Sequence, residues 1–469
     1  MATPPAPRPH TLRLWLLGAL TLLLAAILIP LWIGVPLRRM TGLALHPGQM
    51  ARAGEAASPF TDAQAVAAIE TEAGYMASCA FTPKGDAQGA LNDVRIGERG
   101  PDWVAPEASA VGAISLMQAA AFLKSRGRDA AASDRVLDGY FGWVARQGGA
   151  VSARVYYDSK GKKQRADAAT PAATGMTLVA LWKRAEYLQK AGRAADAAVW
   201  KQQAWPQAAA MGEFLLAHEN KQYGLMDGPA GSPDLWLTDA VAAEDGLHCL
   251  SRWAADVKHP DPRWLAAADR LTAGITAMKE RGDWGCFYRV RERKEGFRAG
   301  YGDSLDQICF LPAEADILPA DDPYTKRLSD WWTYGGNEFS MTPQTADPAD
   351  WRYFGLHWHH YFVPRPENDY LYPGPGLQLA KAEWKYAQKT GDAEMRARAV
   401  RRLRWVAMPR YSELWRPKDG GGLVDWRDGA KQPHTAEDWT RFIDTSGYFV
   451  QVTLMVQFGH DTRYVPEGA

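Results

Sequence analysis

A helical pattern that recurs about every 65 residues is the strongest constraint on the fold of this chain. Apolar stretches with the 3.6-residue helical period begin near Ala108, Ala169, Leu235, Gly300, Asp369 and Asp438. The steps between these starts are 61, 66, 65, 69 and 69 residues. More polar helical segments alternate with them, at 126–146, 192–218, 260–280, 322–335 and 392–408. A near-constant period indicates one repeated supersecondary unit, whose apolar face is buried only when neighbouring units stack.

Six apolar helices that alternate with polar helices predict an inner ring surrounded by an outer ring. Residues 62–78 supply the further polar helix that closes the ring. We therefore expect a single all-α domain over residues 61–469, an (α/α)6 toroid, rather than an open helical solenoid. The sequence shows little of the two-residue alternation that is typical of strands.

Two segments carry a more specific resemblance. Residues 165–174, RADAATPAAT, resemble the Asp/Thr-rich start of an inner helix in bacterial members of the six-hairpin glycosidase superfamily. Residues 235–247, LWLTDAVAAEDGL, resemble the later segment in which an acidic residue opens the next inner helix. Ala168 and Pro171 stand where more polar residues are common, so the first match is partial. The resemblance implies an (α/α)6 fold, action on glycans, and a cleft where the inner helices begin.

The N-terminus contains a long uncharged stretch, Leu14 to Leu37. Its 24 residues exceed the roughly 20 that are needed to cross a bilayer core. A signal peptide is the alternative, but the stretch is longer than an apolar region of about 7–15 residues and no Ala-x-Ala site follows it directly. We therefore expect a tail at 1–13, a transmembrane helix at 14–37 and a linker at 38–60.

The charges that flank this helix give little orientation, since Arg8 and Arg13 precede it and Arg38 and Arg39 follow it. A short tail before a long C-terminal domain is typical of a domain that is exported behind its anchor. We expect a single-pass protein of a bacterial inner membrane, with the toroid in the periplasm.

Composition excludes several functions. Lys+Arg and Asp+Glu both number 54, so the chain lacks the excess of one sign that nucleic-acid binding requires. The four cysteines show no metal-binding spacing, and both disulfides and buried thiols are compatible with them. No phosphate-binding loop, dinucleotide fingerprint, serine-hydrolase elbow or HExxH motif is present, so we expect no cofactor and no metal.

Carboxylates recur where the apolar helices begin. They are Asp167, Asp239, Asp303, Asp369 and Asp438. Aspartate is a preferred N-cap, which is one explanation, but several carboxylates in one cleft also provide an acid and a base. Asp239 and Asp303 are the first catalytic candidates, because Glu244 follows Asp239 within two turns and glycines flank Asp303. Asp167 is the third.

Aromatic and polar side chains near the same starts are candidates for sugar binding, because planar rings stack on the apolar faces of pyranoses. Packing between the two rings of helices is the alternative explanation for the tryptophans. The expected substrate-binding residues are Glu244, Asp306, Asp369, Trp236, Tyr301, Trp358, His357, His359 and Tyr372. The histidines of His357-Trp-His-His360 have no nearby carboxylate at a ligand spacing, so they are expected in a cleft wall.

The sequence therefore predicts a membrane-anchored glycoside hydrolase that uses paired carboxylates on an oligo- or polysaccharide, with either retention or inversion. A polysaccharide lyase with a histidine base is one alternative. A toroid that resembles linalool dehydratase-isomerase is another, with Tyr75 and Cys79 at its site, although residues 226–229 read MDGP where that family has a cysteine–glutamate motif. A third is a non-catalytic glycan-binding subunit of a polysaccharide export system.

Overall fold

The computed structural model describes residues 60–81, 85–92, 94–96, 103–228, 234–278, 290–292, 296–298, 311–334, 356–358, 370–407, 422–423, 427–428 and 440–465. The described residues form twelve helices and thirteen short strands. The helices dominate, as the repeat predicts.

Six helices form the inner ring. They are α2 (Pro106–Ser125), α4 (Pro171–Lys190), α6 (Leu237–Asp256), α8 (Leu311–Glu314), α10 (Pro373–Thr390) and α12 (Ile443–Phe458). Each packs against the next, and α12 packs against α2, so the ring is closed. The outer helices are α1 (Asp62–Ser78), α3 (Ala131–Ala145), α5 (Ala194–Ala217), α7 (Pro262–Ala277), α9 (Pro323–Tyr334) and α11 (Ala393–Ala407). The helix α1 packs against both α2 and α12, as expected for the helix that completes the outer ring.

Inner and outer helices differ because of their sequences. The inner helix α12 is buried on all sides from Thr445 to Met455, and α4 is buried from Pro171 to Trp182. A helix that is apolar all round must be enclosed by other helices. The outer helix α7 buries only one stripe, which includes Trp264 and Leu271, and leaves its other face in water.

The first and last inner helices meet through small residues. A Cβ atom on Gly112 of α2 would lie 2.6 Å from Cδ1 of Ile443, and one on Gly447 of α12 would lie 2.6 Å from Oγ of Ser115. Beside these contacts, Nε2 of Gln451 donates a buried hydrogen bond of 2.8 Å to Oγ of Ser115, 336 residues away in the chain. The ring therefore closes by close backbone approach and one buried polar contact.

Short antiparallel strands lead into the inner helices. The strands are β1 (Val94–Ile96), β2 (Trp103–Val104), β3 (Val155–Tyr157), β4 (Lys163–Ala166), β5 (Glu219–Asn220), β6 (Leu225–Met226), β7 (Asp234–Trp236), β8 (Val290–Glu292), β9 (Gly296–Arg298), β10 (Leu356–Trp358), β11 (Tyr370–Tyr372), β12 (Arg427–Asp428) and β13 (Thr440–Phe442). They pair as β2-β3-β4, β7-β8-β9, β10-β11-β12, β1-β13 and β5-β6. Strands β2, β7, β11 and β13 end just before α2, α6, α10 and α12, so these sheets surround the end of the ring where the inner helices start.

The structure confirms the ring of alternating inner and outer helices. The expectation of little strand is confirmed, because each strand has only two to four residues, too few for a two-residue period to be visible in the sequence. The tail, transmembrane helix and most of the linker expected before residue 60 lie outside the described residues. Of the described helices, α2 is long and apolar enough to cross a membrane, but it is an inner-ring helix with 72% of its apolar window buried.

The closest approach between α4 and α6 occurs at two glycines. A Cβ atom on Gly175 would lie 2.1 Å from the carbonyl oxygen of Ala242, and Gly246 faces the Cα of Gly175. We expect Gly175→Ala to lower the free energy of unfolding by about 1–3 kcal/mol, because the added methyl group forces the two helices apart. Chemical denaturation measures the change.

The matched control is Gly142→Ala on the exposed face of α3, where the nearest atom to an added Cβ is 3.9 Å away. This substitution should raise the free energy of unfolding by about 0.5–1 kcal/mol, because alanine loses less backbone entropy than glycine in a helix. A Gly175→Ala protein as stable as the parent would contradict the close packing of α4 on α6.

Candidate active site

Three carboxyl groups meet at the end of the ring where the inner helices begin. Glu107 is the second residue of α2, Asp239 is the third residue of α6, and Asp444 is the second residue of α12. Asp239 and Asp444 both act on Glu107 electrostatically, which places the three side chains in one group. We call Glu107, Asp239 and Asp444 the carboxyl trio.

Asp239 stabilises a neighbouring helix instead of capping its own. Its Oδ1 accepts a hydrogen bond of 2.8 Å from the backbone N–H of Ala172, in the first turn of α4. That N–H is among the donors that a helix start leaves without a partner inside the helix. One carboxylate oxygen of Asp239 therefore ties the starts of α4 and α6 together.

Exposure distinguishes the members of the trio. Asp239 is 7% exposed, whereas Glu107 and Asp444 are partly exposed. Among the described residues, none of the three forms an ion pair with a cation.

Burial raises the pKa of each carboxyl group in the trio, and nearby negative charge adds to the rise for Glu107. The pKa of Glu107 rises from 4.5 to about 7, chiefly because of burial and then because of the charges on Asp239 and Asp444. Burial also raises the pKa of Asp239 to about 6, against the opposing effect of the Ala172 N–H. The pKa of Asp444 rises to about 6 for the same reason, although the N–H of Thr445 donates to its Oδ1 at 2.7 Å.

These pKa values make different protonation states available in one site. Because all three pKa values are raised towards neutrality, with that of Glu107 the highest, protonated and ionised carboxyl groups can coexist in the trio. A protonated carboxyl group beside an ionised one is the combination that general acid–base chemistry requires.

Tyr448 lies one helical turn after Asp444 on α12, and its side chain is 9% exposed. Within the described part of the chain, its hydroxyl has no hydrogen-bond partner. Burial, followed by the nearby Tyr464 and Glu314, holds the pKa of this phenol well above its usual value. Tyr448 therefore stays neutral and can donate a hydrogen bond near the trio.

A buried polar network fills the axis of the ring between α2, α8, α10 and α12. Nζ of Lys381, which is 1% exposed, contacts Oε1 of Glu314 and donates to Oε1 of Gln451 at 2.6 Å. Gln451 in turn donates to Ser115 and, at 3.2 Å, to the hydroxyl of Tyr464. Because the buried ammonium has both an anionic and a neutral partner, its desolvation is offset.

Of the predicted catalytic residues, the structure brings Asp239 into the trio. Asp167 lies between β4 and α4, where its Oδ2 accepts a hydrogen bond of 3.2 Å from Tyr156 and Arg165 lies 3.7 Å away. The described contacts do not join Asp167 to the trio. Asp303 lies outside the described residues.

The predicted substrate-binding residues fall into four groups. Glu244 faces the outer helix α7, where Thr272 donates to its carboxylate at 2.7 Å and Nε2 of His248 lies 3.1 Å away, so the structure does not bring Glu244 to the trio. Trp236 is partly exposed at the N-cap of α6, three residues before Asp239. The backbones of His357, Trp358 and Tyr372 lie in the paired strands β10 and β11. The remaining ones, Asp306, Asp369, Tyr301 and His359, lie outside the described residues.

Sequence reasoning missed Glu107 and Asp444. The repeat gives only approximate helix starts, with the first near Ala108, one residue after Glu107, and the last near Asp438, six residues before Asp444. Two signals were available. Pro106 is favoured at the first position of a helix, so the next residue is in the first turn. Asp444 follows a short β-like segment, residues 440–442, that has the aromatic residue typical of a strand.

Two of the four cysteines lie in the described part of the chain. Cys79 and Cys249 are buried, and Cys286 and Cys309 lie outside the described residues. Within the described ranges, no group of three histidine, cysteine or acidic side chains is arranged to hold a metal ion. Cys79 lies at the C-cap of the outer helix α1.

The fold recurs in solved structures. A D-mannose isomerase superposes with a TM-score of 0.58 at 10% identity, over 85% of this chain and 98% of that chain. A wild-type glycosidase has a TM-score of 0.51 at 14% identity, over 86% and 98% of the two chains. A possible GH105 family member from Salmonella enterica subsp. enterica serovar Paratyphi A has a TM-score of 0.53 at 10% identity, over 86% and 96%.

These similarities show that the chain has the six-hairpin glycosidase-like fold, as the resemblance in the sequence implies. No protein-family model matches the sequence, and no curated protein matches it. The identities are too low to carry an activity, so the chemistry must be argued from the trio.

The raised pKa of Glu107 implies that the stability of the folded protein depends on pH. Between about pH 4.5 and pH 7, the unfolded chain has released the Glu107 proton and the folded chain retains it, so stability falls as pH rises through this range. Glu107→Gln should flatten this fall and make the protein more stable than the parent at pH 8. The melting temperature measured between pH 4.5 and pH 8 tests the prediction.

Glu70→Gln on the outer helix α1 is the control, since Glu70 is 39% exposed and only pairs with Arg128 at 3.4 Å. It should leave the shape of the pH dependence unchanged. A Glu107→Gln protein with the parent's pH dependence would contradict the crowding of the trio.

Proposed function

We propose that this chain is a membrane-anchored glycoside hydrolase whose acid and base belong to the carboxyl trio. The observation that carries the proposal is the raised pKa of Glu107 beside two carboxyl groups of lower pKa, where the inner helices begin. Hydrolysis of a glycosidic bond needs one protonated and one ionised carboxyl group.

Glu107 is the proposed general acid, because it has the highest pKa of the trio and is partly exposed. Its carboxyl group donates a proton to the glycosidic oxygen as the bond between that oxygen and the anomeric carbon breaks. The leaving sugar departs with the transferred proton. Glu107 is then left as a carboxylate.

Asp444 is the proposed partner, because it is ionised at neutral pH and partly exposed. In an inverting reaction it accepts a proton from the water that attacks the anomeric carbon. In a retaining reaction it attacks that carbon itself, and the ionised Glu107 later accepts the proton of the incoming water. The neutral Tyr448 hydroxyl can donate a hydrogen bond beside it.

Asp239 is proposed as the residue that sets the protonation state of Glu107. One of its oxygens is held by Ala172, and its charge is the larger of the two that raise the Glu107 pKa. Asp303, which sequence analysis also selected, remains a candidate for the cleft. Trp236 is a proposed stacking surface for a sugar.

Sugar isomerisation is the second candidate, since a D-mannose isomerase has the same fold. Moving a proton between adjacent carbons of an open-chain sugar also needs an acid and a base, which the trio can supply. The two reactions leave different products, because hydrolysis creates new reducing ends and isomerisation converts an aldose to a ketose.

Variants of the trio test the assignment of roles. Glu107→Gln and Asp444→Asn should each lower kcat by about 10²–10⁴-fold, because each removes one proton-transfer group. Asp239→Asn should shift the alkaline limb of the pH–rate profile to lower pH, because loss of the Asp239 charge lowers the pKa of Glu107. Reducing-end release from a panel of glycans, with ketose formation assayed in parallel, gives the readout.

Asp196→Asn is the matched control, because Asp196 lies in the first turn of the outer helix α5 and is 53% exposed. Its activity should equal that of the parent. The sequence predicts a loss for Asp303→Asn as well. Full activity in folded Glu107→Gln and Asp444→Asn proteins would overturn the roles given to the trio, and ketose as the sole product would favour isomerisation.

Anchoring in a bacterial inner membrane, with the toroid in the periplasm, is part of the proposal and rests on the 24 uncharged residues from Leu14 to Leu37. A periplasmic toroid would meet glycans of the cell envelope. The substrate proposed is therefore an oligo- or polysaccharide, with no nucleic-acid partner.

Arginines in the apolar stretch test the anchor. Leu23→Arg together with Ala26→Arg should move the protein to the soluble fraction, because each arginine at the centre of a transmembrane helix costs about 2.5–3.5 kcal/mol on insertion scales. Membrane fractionation after carbonate washing measures the change, with Leu23→Phe as the control. Protease digestion of intact spheroplasts should remove the toroid, and complete protection would contradict the periplasmic orientation.

A further inference from the structure

Tyr448 on α12 lies at a depth between the carboxyl trio and the buried network around Lys381. At 1.5 Å per residue, Asp444 is roughly 1.5 Å from the start of α12, Tyr448 roughly 7.5 Å and Gln451 roughly 12 Å. Residues four apart share a helix face, so Tyr448 lies on the face of α12 that carries Asp444. Because the Cα–Cβ bonds of a helix tilt towards its N-terminus, the side chain of Tyr448 leans back towards the trio.

Electrostatic effects also place the phenol of Tyr448 near both groups. Burial raises the pKa of this phenol, and residues of the network and of the trio add to the rise, namely Tyr464, Glu314, Asp444 and Glu107. The phenol therefore lies between the trio and the network. Since it keeps its proton, its hydroxyl can donate one hydrogen bond and can also accept.

The ring of Tyr448 is held on the side of the network. Nζ of Lys381 lies 5.9 Å from the ring centroid. The ammonium group is itself fixed by its ion pair with Glu314 and by a hydrogen bond of 2.6 Å to Gln451. A side chain that is held in this way keeps its polar tip in one position, as recognition of a substrate group requires.

The hydroxyl of Tyr448 has no hydrogen-bond partner within the described part of the chain, yet it is open to solvent. It is not one of the partnerless polar atoms that packing closes off, and the side chain is 9% exposed. Tyr140 on the outer helix α3 shows the contrast, because its hydroxyl also has no partner but is closed off from solvent. A ligand at the trio can therefore contact the hydroxyl of Tyr448.

A sugar hydroxyl is the group that fits best between Tyr448 and the trio. It can accept a hydrogen bond from the phenol and donate one to an ionised carboxylate such as Asp444. A carboxylate or phosphate group on the substrate can only accept, and the negative charges of the trio would repel it. An ether oxygen cannot donate, and a methylene group would leave the phenol without a partner.

We propose that Tyr448 is a specificity-determining residue, whose hydroxyl donates a hydrogen bond to a hydroxyl group of the sugar bound at the carboxyl trio. The inference rests on the proposed function, which places the substrate at the trio, and adds which part of the substrate is recognised. The site then prefers a sugar with a free hydroxyl at that position to analogues that are deoxygenated or methylated there. Tyr448 binds the substrate and takes no part in proton transfer.

Calorimetric titration of the full-length protein tests this role, in the Glu107→Gln background so that the probe is not cleaved. The probes are D-mannose, mannotetraose and cellotetraose, and at least one should bind. Adding Tyr448→Phe should raise its Kd about tenfold, as expected for the loss of one hydrogen bond in a buried site. With Glu107 intact, Tyr448→Phe should lower kcat/KM by a similar factor and leave the pH–rate profile unchanged.

Monodeoxy analogues of the bound probe identify the contact. One analogue should bind about tenfold more weakly than the probe, and Tyr448→Phe should weaken its binding no further, because the same hydrogen bond is already absent. Tyr140→Phe is the matched control, since it removes a hydroxyl that a ligand cannot reach, and it should leave every Kd unchanged. Tyr448→Phe keeps the ring beside Lys381, so its melting temperature should equal that of the parent.

Equal binding in Tyr448→Phe and its parent would overturn the role of Tyr448, whether or not the pH–rate profile shifts. A loss that is the same for the probe and for every analogue would also overturn it, because it would indicate a structural effect. In both cases release of new reducing ends by the parent would leave the proposed function standing. A probe that binds without being cleaved would contradict hydrolysis, and the comparison of analogues would still decide the contact. Failure of every probe to bind would contradict both.

Discussion

The contact between α2 and α12 is the constraint on which the rest of the structure depends. It joins the first inner helix to the last through Gly112, Gly447 and the hydrogen bond from Gln451 to Ser115, which are 336 residues apart. Without it, the hairpins would form an open array, and Glu107 would not lie beside Asp444. The entropy lost in closing so long a loop must be offset by the apolar burial of the inner helices. Closure of the ring therefore creates the candidate site.

Burying the carboxyl trio destabilises the folded state electrostatically. Three carboxyl groups at helix starts gain from the positive ends of their helix dipoles, yet burial raises their pKa values, and the charges of Asp239 and Asp444 raise that of Glu107 further. The ion pair of Lys381 with Glu314, deeper in the ring, has the opposite character because each charge has a partner. Carboxyl groups without cationic partners are typical of functional sites, where stability is given up for chemistry.

The architecture could be predicted from the sequence because an inner helix must be apolar on nearly all sides, and that composition recurs at a fixed period. The pattern also led to Asp239. The repeat did not single out Glu107 or Asp444, because the two are brought together only where the two ends of the chain meet. The sequence pattern also suggested that each aspartate caps its own helix. Asp239 instead accepts a hydrogen bond from the N–H of Ala172 on the neighbouring helix. The sequence pattern also does not show which way Glu244 faces. Its side chain lies on the face of α6 that contacts Thr272 of the outer ring.

The central claim is that Glu107 and Asp444 act on a glycosidic bond. A crystal structure of the Glu107→Gln protein, soaked with an oligosaccharide that the parent cleaves, tests it most directly. The account predicts that the side chain at position 107 lies within about 2.6–3.2 Å of the glycosidic oxygen, with the Asp444 carboxylate facing the anomeric carbon or its attacking water. An oligosaccharide whose scissile bond is bound away from Glu107, Asp239 and Asp444 would contradict it.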